Sequence, residues 1–258
     1  MIPDSHAHLD LIEEDTAHVV ASARAAGVSP IITIGINLPS SLEAVKAAAA
    51  FEGVFAAVGI HPNDTGEESL DALDRLEELA RSSSGVVAIG ETGLDYFRDR
   101  SPAALQKEAF RAQVRLAKRL SLPVIVHDRE AHDDALALLA EEAAGEVPVI
   151  MHCFSGDRPV LDECLKHGYY FSFAGPVTFK NSQKTREMAA LVPADRLLSE
   201  TDSPFLSPEP FRGKPNVPER VRYVAEALAA ARGIPLKEME ALLAANVARV
   251  FGIPEEVV

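Results

Sequence analysis

The sequence predicts an α/β chain folded as a single (β/α)8 barrel, and three observations carry that expectation. Eight short β-rich runs alternate with longer stretches rich in alanine, leucine and charge. Runs such as "IIT" and "VIV" are near-continuously apolar, as in parallel strands buried on both faces. The length of 258 residues suits eight βα units of a barrel, which typically takes about 250. A doubly wound open sheet is the alternative on periodicity alone, but no glycine-rich phosphate loop follows the first run. With no linker, low-complexity segment or repeat to divide it, the chain is expected to form one domain over 1–258.

Taken in order, the strand-like runs are "MIPDSH", "PIITIG", "VFAAVGI", "VVAIGE", "PVIVHD", "VPVIMH", "YYFSFAG" and "RLLSETD". "SLEAVKAAAAF" and "SLDALDRLEELARS" separate the second, third and fourth as helix-like segments. In "PAALQKEAFRAQVRLAKRL", after the fourth, apolar residues recur at helical spacing, and Ser101 with Pro102 suits a helix opening. The closing stretches "NVPERVRYVAEALAAARG" and "PLKEMEALLAANVARVFG" are expected to complete the outer helical layer.

Hydrophobic residues make up 47% of the chain, enough for a sizeable core. The formal charge of −14 argues against a general nucleic-acid coating protein, because phosphates need local positive charge. It leaves room for an enzyme that meets phosphate through metal ions and a few basic side chains. Two cysteines, Cys153 and Cys164, make no disulfide framework and favour a reducing compartment. No basic-then-apolar opening and no membrane-length apolar run is present, so a cytoplasmic protein with no membrane partner is expected.

Catalytic groups of such barrels gather at the C-terminal ends of the strands. There the sequence places His6 and His8, His61 of "GIHP", Glu91 of "GETGLDY", His127 of "VIVHDR", His152 of "VIMHCFSG", and Glu200 and Asp202 of "SETDSP". A cap or rim role accounts for one or two such residues, but not for so many sharing one end of the barrel. Imidazoles and carboxylates without a convincing thiolate suit zinc, manganese or magnesium. Cys153, directly after His152, is expected to face the other way on a strand, as a small buried hydrophobe, and Cys164 reads the same way. His18, His132 and His167 fall in or at the ends of helix-like segments and read as surface or capping residues.

So many groups exceed the needs of one four-coordinate ion. Two ions about 4 Å apart sharing a carboxylate would use them, clamp the oxygens of a phosphoryl transfer and activate a water as nucleophile. Glu91 is the expected bridge. Asp202 would hold one metal and orient the attacking water, with Glu200 orienting a ligand or substrate, or supporting from behind. Arg129, Arg212 and Lys214, with Lys180, Asn181 and Asn216 nearby, are candidates for phosphate contact. Tyr96 is a candidate for stacking on a base, or for packing against the rim.

Taken together, "DSHAHLD", "GIHP", "GETGLDY", "PVIVHDR", "HCFSG", "ETDSP", "RGKPN" and "NVARVFG" resemble, in family order, the TatD-like metal-dependent deoxyribonucleases of the amidohydrolase-like barrel superfamily. The resemblance implies a distorted TIM barrel that hydrolyses DNA phosphodiester bonds, as a 3′→5′ exonuclease preferring single strands. It implies divalent ions held by His6, His8, Glu91, His127, His152 and Asp202. It also puts His61 and Glu200 in the active-site region, and Arg212 and Lys214 near the substrate phosphate. Departures from the family pattern are Glu130 for a common aspartate, Ser199 for an aliphatic residue, and the absence of threonine before Asn246. The expected reading is a DNA hydrolase with two divalent ions and no obligate protein partner. The alternatives are an amidohydrolase-type enzyme acting on a C–N bond or small ester, and a non-catalytic metal-binding protein.

Overall fold

The computed structural model describes residues 1–66, 72–98, 100–142 and 144–254. Eight strands form one sheet in the order of the chain: β1 (Ile2–Ala7), β2 (Val28–Ile34), β3 (Val54–Val58), β4 (Val86–Asp95), β5 (Val124–Arg129), β6 (Val149–Met151), β7 (Tyr170–Phe173) and β8 (Leu197–Ser199). Every neighbouring pair is parallel. The helices between them are α1 (Thr16–Ala25), α2 (Leu38–Ala50), α3 (Ala72–Ser82), α4 (Ala103–Leu120), α5 (His132–Glu141), α6 (Arg158–Lys166) and α7 (Gln183–Leu191). α8 (Val221–Arg232) and α9 (Leu236–Phe251) follow β8. Positions 69–71 of the "SLDALDRLEELARS" stretch lie outside the described residues. Among the described residues, no helix is long and apolar enough to cross a membrane.

The barrel closes between β1 and β8 in two ways. At the mouth, the Asp202 N–H donates to the His6 carbonyl (2.9 Å) and the His8 N–H to that of Ser203 (2.8 Å). Ala7 and Ser203 thus form a parallel bridge. Deeper in, two hydroxyls sew the seam: Ser5 Oγ donates to the Ser199 carbonyl (3.0 Å) and Ser199 Oγ to that of Pro3 (3.0 Å). Ser199 therefore has a structural reason for standing where an aliphatic residue is usual.

Strand alternation sorts the core into two bodies. Ile31, Val124, Val126, Val149, Met151 and Leu197 belong to the large layer that the surrounding helices cover. Ile32, Ile34, Ile125, Ile150 and Leu198 fill the barrel interior. Val247, Val250 and Phe251 of α9, with Ile253, join that interior body. This corrects the expectation for the last helix: α8 packs in the outer layer, whereas α9 plugs the barrel. Helical spacing reports which residues of a helix are apolar, not which surface receives them.

Asn246 locates the plug. Its buried amide donates to the carbonyls of Ala194 (2.7 Å) and Leu197 (2.8 Å), at the start of β8 and so at the end away from the mouth. Asn246→Leu strands two carbonyls and is expected to lower unfolding stability by about 1–3 kcal/mol. Urea denaturation reads this, while bound metal should stay unchanged.

α4 begins one residue later than its sequence signal, with Pro102 ahead of the first turn. Ser101 does not cap it; its carbonyl accepts the Gln106 side-chain amide (2.8 Å). β4 runs past the predicted "VVAIGE" to Asp95, and two glycines permit this. Gly90 and Gly93 have φ of +141° and +142°, and a Cβ there would collide with the carbonyl oxygens of Ile125 and His127. Glu91 thus sits on backbone pressed against β5.

Candidate metal centre

Interior parity delivers the site. His127 shares the parity of Ile125, His152 that of Ile150, and Glu200 and Asp202 that of Leu198, so each continues an inward-facing row to the mouth. His6 and His8 come from β1 and the residue after it, and His61 from the turn after β3. Asp202 adopts φ +54°, a left-handed conformation in which aspartate is enriched.

Glu91 lies at the centre with its two oxygens divided. Oε2 is 3.4 Å from His6 Nε2 and 3.8 Å from His8 Nε2. Oε1 is 2.7 Å from His127 Nδ1, 3.2 Å from His152 Nε2 and 3.6 Å from His61 Nε2. Asp202 Oδ1 stands 3.4 Å from His8 Nε2 and 3.7 Å from His6 Nε2. The His6 and His152 rings stack with centroids 3.8 Å apart. Three sets of atoms are close enough to share an ion: His6, His8 and Glu91; His6, His152 and Asp202; and His61, Glu91 and His127.

Tautomers decide which of these fit a cation. His8 Nδ1 lies 3.1 Å from the Ile34 carbonyl, which can only accept. In the neutral ring the proton is therefore on Nδ1, and Nε2 points a lone pair at His6, Glu91 and Asp202. Its Nε2 is 3.3 Å from His6 Nε2, and His6 Nδ1 has no hydrogen-bond partner. A ring nitrogen lone pair converging with two carboxylates in a buried space suits a cation, so these residues fit one. His61 is different. Its Nδ1 accepts the Asn63 N–H (3.0 Å), so in the neutral ring Nε2 carries the proton and cannot donate a lone pair. In that tautomer His61 turns an N–H rather than a lone pair toward the centre, 3.6 Å from Glu91 Oε1 and not hydrogen-bonded to it.

Two acids stand behind the imidazoles. Asp95 Oδ2 is 3.4 Å from His127 Nε2, and Asp95 itself accepts from the N–H groups of Phe97 (3.0 Å) and Arg98 (2.9 Å) and from Asn63 Nδ2 (2.9 Å). Glu200 Oε1 is 3.0 Å from His152 Nδ1 and accepts the Cys153 N–H (2.8 Å). Such carboxylates orient ligand rings and raise their basicity. Glu200, a candidate catalytic acid with Glu91 and Asp202, is buried behind His152, which is the supporting place of its two expected roles. The sequence reading assigned no role to Asp95, although it lies two positions past Gly93 in the quoted "GETGLDY". It also missed Asp4, which accepts the Thr201 N–H (2.8 Å) and hydroxyl (2.6 Å) and anchors the loop of Asp202. Gln113 of α4 accepts the Ile60 N–H (2.7 Å) and lies 2.7 Å from Thr92 Oγ1, tying the neighbours of His61 and Glu91. Nothing in the sequence singles it out from other helix polar residues.

The electrostatics are those of a site built for positive charge. Burial opposes ionisation of Glu91, but His152 and the other facing imidazoles hold its carboxyl well below the usual range. Burial likewise opposes the charge of Asp202, but the hydrogen bond with His8 together with the facing His152, His6 and His8 outweighs it and lowers its pKa. His152 is raised well above the ordinary histidine value, against burial, by Glu200 and Glu91. His8 and His127 are also raised against burial, by Asp202 and by Asp95 with Glu91 respectively. Burial lowers His6 and pushes His61 down to about 3, so His61 is neutral at physiological pH. Protonated imidazoles thus balance the buried acids, and cation binding would displace those protons.

The remaining candidates divide. Arg129 ends β5 and Arg212 and Lys214 lie on the loop after β8; none of the three forms a salt bridge with a carboxylate among the described residues. Lys180 and Asn181 are exposed after β7. Asn216 is buried and its amide donates to the Thr201 carbonyl (2.9 Å), so it braces the loop rather than meeting phosphate. Tyr96 takes the packing place rather than the stacking one. Its hydroxyl donates to Asp134 Oδ2 on α5 (2.6 Å), and its ring packs on the core, away from a base. Cys153 is half-buried with φ +45°, outside any strand, because β6 has already ended; Cys164 is buried as expected. His18 is exposed on α1, His167 ends α6, and His132 opens α5 with Nδ1 2.6 Å from Asp128 Oδ2.

Comparison with known proteins places this geometry in a wider group. A family model described as TatD related DNase matches residues 3–252. The chain is similar to the uncharacterized metal-dependent hydrolase YabD of Bacillus subtilis (strain 168), at 44% identity over 98% of this chain and 100% of the relative. It is 38% identical to the 3′-5′ ssDNA/RNA exonuclease TatD of Klebsiella pneumoniae (strain 342), over 93% of this chain and 92% of the relative. Among solved structures it resembles YJJV, a TatD homologue from Escherichia coli K12, with a TM-score of 0.91, 31% identity and 98% of both chains covered.

Proposed function

Because this chain belongs to the TatD-related DNase family of metal-dependent hydrolases, we propose that it hydrolyses DNA phosphodiester bonds, shortening single strands from the 3′ end. The observation that carries the reading is the division of Glu91, whose two oxygens face separate nitrogen groups, as a carboxylate shared by two ions would. The Klebsiella relative, named as an exonuclease on single strands, supports the substrate class.

Held by His6, His8, Glu91, His127, His152 and Asp202, divalent ions of magnesium, manganese or zinc would supply Lewis acidity to the phosphoryl oxygens and activate water. Asp202 accepts the proton of the attacking water. Its side chain is 14% exposed where that of Glu91 is 3%, so it is the carboxylate that solvent reaches. His61 presents an Nε2–H held by Asn63, a donor for a phosphoryl oxygen. Arg129, Arg212 and Lys214 receive the flanking phosphates. An amide or small ester would leave these cations, which have no carboxylate partner among the described residues, unused, and this ranks C–N hydrolysis second.

The test is incubation of metal-loaded protein with 5′-labelled single-stranded DNA and RNA. Stepwise loss from the 3′ end is expected; intact strands with the metal sites demonstrably filled would refute the reading. Arg212→Ala and Lys214→Ala should each raise KM several-fold and flatten the log KM against log salt slope by about 0.7, as one lost phosphate contact on a single strand does.

A further inference from the structure

Two of the eleven phenylalanines are exposed, Phe97 (57%) and Phe205 (47%), while the others are buried or half-buried. Both lie at the mouth. Phe97 follows β4 and Phe205 follows β8, which stand on opposite sides of an eight-stranded barrel running in chain order. The Phe205 ring meets that of His8 edge-on, with centroids 5.9 Å apart, so it borders the metal centre directly. The guanidinium of Arg129 covers one face of Phe97 at 4.0 Å from the centroid and leaves the ring largely open. Across the mouth, Arg212 lies over half-buried Phe179 at 4.4 Å.

Exposed apolar rings beside a reaction centre cost solvation unless a ligand covers them. Their neighbours identify the ligand's chemistry. Arg129 and Arg212 lack carboxylate partners among the described residues of a chain of net charge −14, so the ligand brings anionic groups. Flat apolar surface interleaved with phosphate is the make-up of an unpaired nucleic-acid strand. In a duplex the bases are stacked on one another and offer no face.

Resting on the nuclease reading, we propose that Phe97 and Phe205 are base-stacking platforms on opposite sides of the metal centre, and that they select strand ends whose bases are unpaired. Arg129 braces the Phe97 platform and sets a cation beside it for the adjoining phosphate.

The test compares two single-stranded substrates: an ordinary 3′ end, and the same strand with abasic tetrahydrofuran residues in its last three positions. The metal-loaded wild type should prefer the ordinary end by about tenfold or more in kcat/KM, the size of one or more base–aromatic stacks. Fluorescence anisotropy should show a matching preference in Kd. Phe97→Ala and Phe205→Ala should each bring both ratios toward one, whereas Phe97→Tyr and Phe205→Tyr should keep them. The proposal is overturned if the wild type does not discriminate, or if the alanine variants discriminate as well as the wild type. A loaded wild type that shortens neither strand refutes the nuclease reading instead, and the platforms with it.

Discussion

Replacing Glu91 by glutamine is expected to lower phosphodiester hydrolysis by about 10³–10⁴-fold and to remove at least one bound ion. Glutamine keeps the size of the side chain but turns one oxygen into an N–H donor. Glu91 uses both oxygens, one toward His6 and His8 and the other toward His127 and His152. Whichever way the amide turns, one imidazole group faces a donor and one ion loses its ligand. The side chain is almost fully buried, so solvent cannot relieve the mismatch. Metal stoichiometry by mass spectrometry, with kcat/KM on single-stranded DNA, checks this. A variant that kept all its metal and most of its activity would show that Glu91 is not shared.

Asp202→Asn is expected to act on the chemical step, lowering kcat by about 10²–10⁴-fold, the range for a lost proton acceptor. KM should change far less. The loop should survive, because Asp202 holds it through main-chain bonds that asparagine retains: its N–H to His6 (2.9 Å) and its carbonyl from Phe205 (2.8 Å). Asparagine also tolerates the left-handed backbone found there. Only the carboxylate is removed, and with it the acceptor that solvent reaches. Single-turnover assays at saturating metal separate a lost base from a weakened ligand. A kcat within tenfold of the wild type would assign the proton to another group.

Much of the centre is visible in the sequence because strand alternation is local. Once a run is read as a strand, the residue two places beyond an interior apolar side chain also faces inward. His127 after Ile125, both within β5, follows this rule, and His152, the first residue past β6, still keeps the side of Ile150. The rule loses its force where the strand ends. Cys153 lies past β6 in a left-handed turn, so alternation says nothing about it. Tyr96, also past the regular strand, packs rather than stacks for a similar reason. Asp95 accepts the N–H groups of Phe97 and Arg98, and the turn it makes leaves Phe97 exposed while the Tyr96 hydroxyl reaches α5.

The chain by itself determined the eight βα units, the residue types that crowd one end of their strands, and the family those motifs resemble. Only the tertiary structure decided that α9 plugs the barrel, that Asp95 and Glu200 stand behind His127 and His152, and that His61 turns an N–H rather than a lone pair toward the centre. The physical reason is range. Periodicity depends on neighbours in sequence, whereas a ring's tautomer or a carboxylate's partner depends on what barrel closure brings beside it from distant positions.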